Sequence, residues 1–266
     1  MLVDPLLVAA GAGTGLLVGL TGVGGGAVMT PLLLLVFGFA PAAAIGTDLW
    51  FAAITKLFAT RVHHARGLVD WQVVRRLWYG SLPASALTLV WMQGMAVDAE
   101  TTSFLKLMIA IAVVMTAVAL LFQRQLHGLG RKLRLGASSA DRFKSVQGPL
   151  TVAAGALLGV LVTLTSIGAG ALGVVFLAYL YPLRLTASRL VATDIVHAIP
   201  LAMFAGLGHL LIGHVDFGLL GNLLVGSVPG VFLGAVLSSR LPHGLLRKFL
   251  SAILLLTGAK LLAAAL

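Results

Sequence analysis

Ten apolar segments, near residues 5–21, 27–39, 41–60, 77–95, 101–122, 149–165, 171–181, 183–206, 217–238 and 249–265, take up most of this sequence. A bilayer core of about 30 Å needs roughly 20 helical residues to cross it, and several of these segments reach that length. Only 10% of the 266 residues are charged, against 59% apolar, whereas an ordinary soluble domain carries about 25% charged residues. So few charges cannot clothe a water-exposed surface of this size. The chain reads as an all-α integral membrane protein. A soluble enzyme, a soluble binding module and a disordered chain are excluded.

The net charge of +10 would suggest nucleic acid in a soluble protein. Here the Lys and Arg residues lie in short loops between apolar segments, where they set orientation in a bilayer, so no nucleic-acid partner is expected. The sequence has no cysteine, which removes disulfides and thiolate sites. The start, Met1-Leu2-Val3-Asp4-Pro5, lacks the positive region of a cleaved signal, so the first apolar segment should persist.

A basic linker at 123–148, with Arg124, Arg131, Lys132, Arg134, Arg142 and Lys144, separates a first membrane repeat (1–122) from a second (149–266). Shifted by 146 positions, Gly46-Thr47-Asp48 falls on Ala192-Thr193-Asp194, Gly67-Leu68-Val69-Asp70 on Gly213-His214-Val215-Asp216, and Gly80-Ser81-Leu82-Pro83 on Gly226-Ser227-Val228-Pro229. Across 46–83 there are 13 identities in 38 gapless positions. Shared Leu, Ala and Val could come from composition alone, but these polar motifs in one register mark a duplication.

Charge then predicts how the halves are oriented. Arg61, Arg66, Arg75 and Arg76 mark a cytoplasmic loop, whereas its counterpart, 207–217, has histidines and no Lys or Arg. The basic signal moves to Arg240, Arg247 and Lys248, one loop later. An odd number of crossings must separate equivalent points, so the repeats are inverted, a plan that puts substrate at the midplane between them. Each half is expected to hold a short glycine-broken helix pair and three transmembrane helices, with both termini outside. The short pairs are either full tilted crossings or re-entrant.

The residues with chemistry follow that duplication. Gly22-Val23-Gly24-Gly25-Gly26 cannot continue a helix cheaply. Broken backbone at membrane depth is tolerated only inside protein or along a wet cavity. The helix that follows would turn free N–H groups and its positive dipole end toward an anion. Gly168-Ala169-Gly170 repeats the motif; close helix packing is the other use of such small residues. Thr47-Asp48 and Thr193-Asp194 place carboxylates inside apolar segments, where ionisable groups are costly. Aspartate could carry a proton or cation, and threonine could donate to an oxyanion; alternatively each aspartate caps a helix or pairs with a base. His197 stands three residues after Asp194 on the same helix face, suiting a proton relay or a satisfied core position. Arg189 could grip an anion with two donors. For it and for Lys56 the plainer reading is snorkelling to the interface. Asp70 and Asp216 read as helix caps, and Gly80/Pro83 with Gly226/Pro229 as sites of close backbone approach. No metal cluster, nucleophile elbow or paired-carboxylate motif appears, so neither an enzyme nor a cofactor is expected.

In Gly22-Val-Gly-Gly-Gly26 followed by Pro31, Ala44-Ile-Gly-Thr47 and Gly67-Leu-Val-Asp-Trp71, with duplicated halves and a basic linker, the chain resembles the TauE/SafE family of sulfite-exporter-like transporters over roughly residues 10–260. The resemblance implies a polytopic carrier of the bacterial inner membrane that moves sulfur-containing or organic anions such as sulfite and sulfonates. Two features depart from it. Asp48 and Asp194 stand where Ser or Asn is usual, and the second glycine run is reduced to Ser166-Ile-Gly-Ala-Gly170, with Val175 in place of proline. Paired carboxylates beside an anion favour coupling to a proton or sodium. The sequence thus predicts a secondary transporter working by alternating access. Gly24, Gly25, Gly26, Thr47, Gly168, Ala169, Gly170, Thr193 and Arg189 are its candidate substrate contacts, and Asp48, Asp194 and His197 its coupling residues. A membrane-embedded enzyme or a scaffold is the alternative, and a homodimer is compatible with the sequence.

Overall fold

The structure, a computed structural model, describes residues 3–21, 26–62, 67–95, 98–135, 140–238 and 243–265. Its helices are α1 (Pro5–Thr21), α2 (Gly26–Leu35), α3 (Pro41–Val62), α4 (Trp71–Gln93), α5 (Ala99–Leu121), α6 (Gln123–Leu135), α7 (Ala140–Thr165), α8 (Ala171–Leu180), α9 (Ala187–Leu211), α10 (Phe217–Ser238) and α11 (His243–Ala265). Among the described residues there are no strands. The all-α expectation holds, and α5, α9, α10 and residues 143–165 of α7 are long and apolar enough to span a bilayer.

Several helices outrun the apolar segments. α4 begins at Trp71 rather than 77, because Asp70 caps it: its Oδ1 accepts from Val73 N at 3.3 Å, so Arg75 and Arg76 lie in its first turns. Asp216 caps α10 in the same way, accepting from Leu219 N at 2.9 Å. Asp98 caps α5 through Thr101 N at 2.7 Å, and that donor holds its exposed carboxyl below the ordinary carboxylate range. The linker is not unstructured either: α6 and the first turns of α7 fill most of it.

Polarity is arranged as a bilayer demands. Leu87, Val90, Met115, Val118, Leu233 and Val236 face outward, while Thr47, Asp48, Lys56, Ser81, Ser85, Thr163, Asp194 and His197 are buried. Lipid tails are as apolar as leucine, so helices must associate by close packing and internal hydrogen bonds instead.

That packing runs between the halves. α1 lies along α10, and α4 along α7. A Cβ on Gly80 would strike the Val152 carbonyl and one on Gly226 the Val8 carbonyl; Gly155 sits on Leu77 and Gly11 on Leu223. Each contact reappears with the halves exchanged. The backbones do approach closely at Gly80 and Gly226, as their motifs suggested.

Two hydrogen bonds repeat the exchange. Asp70 N donates to Thr193 Oγ1 at 3.1 Å, and Asp216 N to Thr47 Oγ1 at 3.0 Å. These clasps run α3 and α9 antiparallel through the centre, where Trp50 Nε1 also donates to the Gly206 carbonyl at 3.0 Å. The short pair of the second half doubles back. Gln147, in the early turns of α7, donates to the Leu180 carbonyl at the end of α8, and Thr151 bonds the Tyr181 hydroxyl at 2.7 Å. The start of α7 and the end of α8 thus lie together at one end of the bundle.

If these glycines are the seams of the fold, overpacking them costs about 1–3 kcal/mol each. Gly80→Ala and Gly226→Ala are expected to lower the melting temperature in detergent by several degrees. Gly13→Ala, at an exposed helical position with open space around its Cβ, should leave it unchanged or raise it slightly.

Candidate functional site

A helix interrupted inside an apolar bundle leaves backbone groups that water cannot reach. In the second half the interruption is Ser166-Ile167-Gly168-Ala169-Gly170, with positive φ at Ser166 (59°), Gly168 (124°) and Gly170 (119°). The two glycines occupy backbone that residues with a Cβ rarely adopt. Thr165 spans the turn, its Oγ1 accepting from Ile167 N at 3.1 Å. Gly170 is the N-cap of α8, with no side chain to satisfy the first-turn N–H groups. Gly173 N donates to the Gly168 carbonyl at 3.2 Å, so the α8 N-terminus presents the Ala171 and Leu172 N–H groups and a positive dipole end in the protein interior.

Asp194 lies against that end. Its buried carboxylate packs on Gly173, where an added Cβ would collide with Oδ1, and faces the Gly170 N–H without a well-formed hydrogen bond. From the other half comes Lys56 of α3. It is 3% exposed and its Nζ donates to the Ala169 carbonyl at 2.9 Å. The interface-snorkelling reading of Lys56 is thus corrected: antiparallel packing of α3 on α9 carries it inward to a broken-backbone carbonyl. Asp48, two turns before Lys56, is wholly buried and accepts from Thr30 Oγ1 of α2 at 2.5 Å; its Oδ1 has no hydrogen-bond partner, with the Ser166 hydroxyl nearby. Lys56 acts electrostatically on Asp48, on Asp194 and on His197.

His197 is buried, with Nε2 3.0 Å from Ser81 Oγ of α4 and Nδ1 unpartnered. Four ionisable side chains from the two central helices therefore share one interior region with the α8 N-terminus: two carboxylates, one ammonium and one imidazole.

The structure brings Asp48, Asp194, His197, Ala169 and Gly170 together, with Gly168 in the same turn. Gly24 and Gly25 lie outside the described residues, and Gly26 is the first residue of α2. Thr47 and Thr193 use their oxygens in the clasps between halves. Arg189 is half-buried in the first turn of α9 with Nε 3.5 Å from the Leu68 carbonyl, apart from the carboxylates. Sequence reasoning left out Thr30, Ser81 and Ser166, single hydroxyls in apolar runs. Lys56 had a signal: it follows Asp48 by eight residues, about two turns, so it cannot be far from the carboxylate's face of α3.

The family model for sulfite exporter TauE/SafE matches residues 7–261. The chain is similar to the Probable membrane transporter protein YjnA of Bacillus subtilis (strain 168), 37% identical over 206 residues, which cover 77% of this chain and 78% of that one. No solved structure matches.

Removing the ammonium leaves the buried Ala169 carbonyl without its donor and takes a positive charge from the region of two buried carboxylates; a buried polar group left unsatisfied costs about 1–3 kcal/mol. Lys56→Met is expected to lower the melting temperature markedly. Lys56→Met combined with Asp194→Asn should lose less than the sum of the two single losses. Thermal melts of the four proteins of this cycle in detergent test it, and strict additivity would remove Lys56 as a partner of Asp194.

Proposed function

The chain belongs to the sulfite exporter TauE/SafE family and is a multi-pass membrane transporter, and from that premise we propose that it carries a small sulfur-containing or organic anion, of the sulfite or sulfonate class, by alternating access coupled to a proton or cation. The observation that carries this reading is the charge count of the buried cluster: among the described residues, Asp48 and Asp194 against Lys56 alone. With both acids ionised, one negative charge has no counter-charge in a dry interior, a costly state. A proton or a small cation relieves it. That event removes the repulsion an incoming anion would meet, so anion and cation bind better together than apart.

The anion itself is held by donors rather than by a cationic clamp. The first-turn N–H groups of α8 supply them in the second half, and those of α2, which begins at Gly26, supply them in the first. The twofold exchange of contacts supports two such helix ends facing one region. The Thr47–Asp216 and Thr193–Asp70 clasps join the halves where they must slide or rock, so they are the joints of the cycle. His197, one turn from Asp194 and within hydrogen-bond distance of Ser81, is the candidate polar link from that carboxylate to α4.

In proteoliposomes, sulfite or a small sulfonate should accumulate or leave in response to an imposed pH or sodium gradient. Asp48→Asn and Asp194→Asn are expected to retain binding but to lose most of the gradient dependence, roughly tenfold or more in the driven component. Gradient-driven flux surviving in both variants would rule out the coupling role.

Orientation has its own test. In the inner membrane of a bacterium, single cysteines replacing Glu100 and Leu211 should react with an impermeant thiol reagent from outside. One replacing Arg131 on α6 should react only after the membrane is opened. All three positions are exposed, and equal labelling of the three contradicts the inverted orientation.

A further inference from the structure

α6 carries none of the residues assigned above to transport. Its sequence, Gln123–Leu135, is strongly amphipathic, with Arg124, Arg131 and Lys132 exposed. It is docked on the bundle rather than hanging from it. His127 Nδ1 bonds the Ala178 carbonyl at 3.2 Å, and Gly130 is so close to Tyr179 that a Cβ would strike its carbonyl. α6 therefore lies across the C-terminal end of α8, at the end of the bundle where α5 stops and α7 starts. The outward side mixes cations with apolar groups: Phe122 is 51% exposed, Leu129 48% and Leu183 56%. In water that mixture is unfavourable; at a bilayer surface it matches acyl chains below and charged headgroups above.

Between α6 and the α8–α9 turn runs an open groove of about 430 Å³. Arg124, His127 and Thr186 give it polar groups, and Leu183, Leu185 and Leu190 give it an apolar floor. Among the described residues no carboxylate lines it. Thr186 also caps α9, whose 25-residue helix directs its positive end toward this region. The groove thus offers a cation, hydrogen-bonding groups and an apolar slot in one place, and it opens on the lipid-facing surface through Leu183.

We propose that this groove, with the outward face of α6, is a binding site for the headgroup and upper acyl chain of an anionic phospholipid. The phosphate meets Arg124 at the mouth, Arg131 and Lys132 hold neighbouring headgroups along α6, and the first methylenes lie on Leu183 and Leu185. A free phosphate would use the cation but leave the apolar floor wet, and a zwitterionic lipid would bring its own cation against Arg124. Charge complementarity together with the slot therefore selects an anionic lipid. Because α6 rests on the last turn of α8, an occupied site steadies the helix whose other end meets Asp194.

The test uses the full chain purified in a neutral detergent, titrated with phosphatidylglycerol or phosphatidylcholine and followed by native mass spectrometry and thermal melting. Phosphatidylglycerol should be retained and raise the melting temperature by several degrees, and phosphatidylcholine should do neither. Each cation near an anionic surface accounts for about a fivefold change in affinity. Arg124→Gln should therefore weaken phosphatidylglycerol about fivefold without altering the lipid-free melting temperature, since Arg124 is exposed. Arg124→Lys should keep most of the affinity. Lys106→Gln, on α5 near its other end, should change nothing. Equal retention of the two lipids, unchanged binding by Arg124→Gln, or displacement of phosphatidylglycerol by inorganic phosphate at millimolar concentration would each overturn the proposal. None of these readouts depends on transport, so they stand or fall separately from the flux experiments.

Discussion

Backbone interrupted inside an apolar bundle has to be satisfied by protein, and most of what distinguishes this structure answers that requirement. The turn at 166–170 breaks α7 from α8 and exposes a carbonyl at Ala169 and a helix N-terminus at Gly170. The carbonyl receives an ammonium from the opposite half, Lys56. The N-terminus receives the flank of Asp194 from α9. One broken helix thereby recruits side chains from both central helices, and a site of mixed charge forms where a continuous helix would have needed none.

That recruitment is possible only because the two halves are woven through one another. Glycines of α1 seat the backbone of α10, and those of α4 and α7 seat one another, at separations no larger residue would allow. The clasps Thr47–Asp216 and Thr193–Asp70 then fix each central helix to the loop that follows the other. Asp70 is the more heavily tied of the two caps. Arg184 holds it with Nε to Oδ2 at 2.6 Å and Nη2 to Oδ1 at 2.8 Å, and also reaches Gln72 at 2.9 Å. A bidentate guanidinium–carboxylate pair is directional as well as strong. The α8–α9 turn that carries Arg184 is thus pinned to the start of α4.

Much of the fold was legible because a bilayer simplifies the physics. Apolar length, duplication and the linker can be read directly, and the caps at Asp70 and Asp216 behaved as their motifs suggest. Helix ends differ from the apolar segments mainly where hydropathy stops at basic residues and the helix continues past them, as α4 does through Arg75 and Arg76 and α7 through Lys144; α9 instead starts late, behind its Thr186 cap, and runs on to Leu211, and α2 stops early at Leu35. α6 was hidden similarly, its helix masked by the basic composition of the linker. In the site, the aspartates announce themselves by being charged in apolar runs. Thr30, Ser81 and Ser166 do not, since a hydroxyl in a membrane helix can satisfy itself on its own backbone, as Thr14, Thr55 and Thr151 do here.

The deeper difficulty was Lys56, and its resolution follows from symmetry. A two-fold exchange of contacts would place equivalent groups at equivalent depths, yet the counterpart of Lys56 is Ala202 and that of His197 is Phe51. The backbone is duplicated and the ionisable side chains are not. A fully symmetric core with a lysine in each half would balance its two aspartates and have no reason to take up a cation. Among the described residues of this cluster Lys56 is the one lysine, and the imidazole and the partnerless oxygens of Asp48 and Asp194 lie near it. Duplication therefore supplies a two-sided framework of matched contacts, while divergence between the halves supplies its unequal distribution of buried ionisable groups.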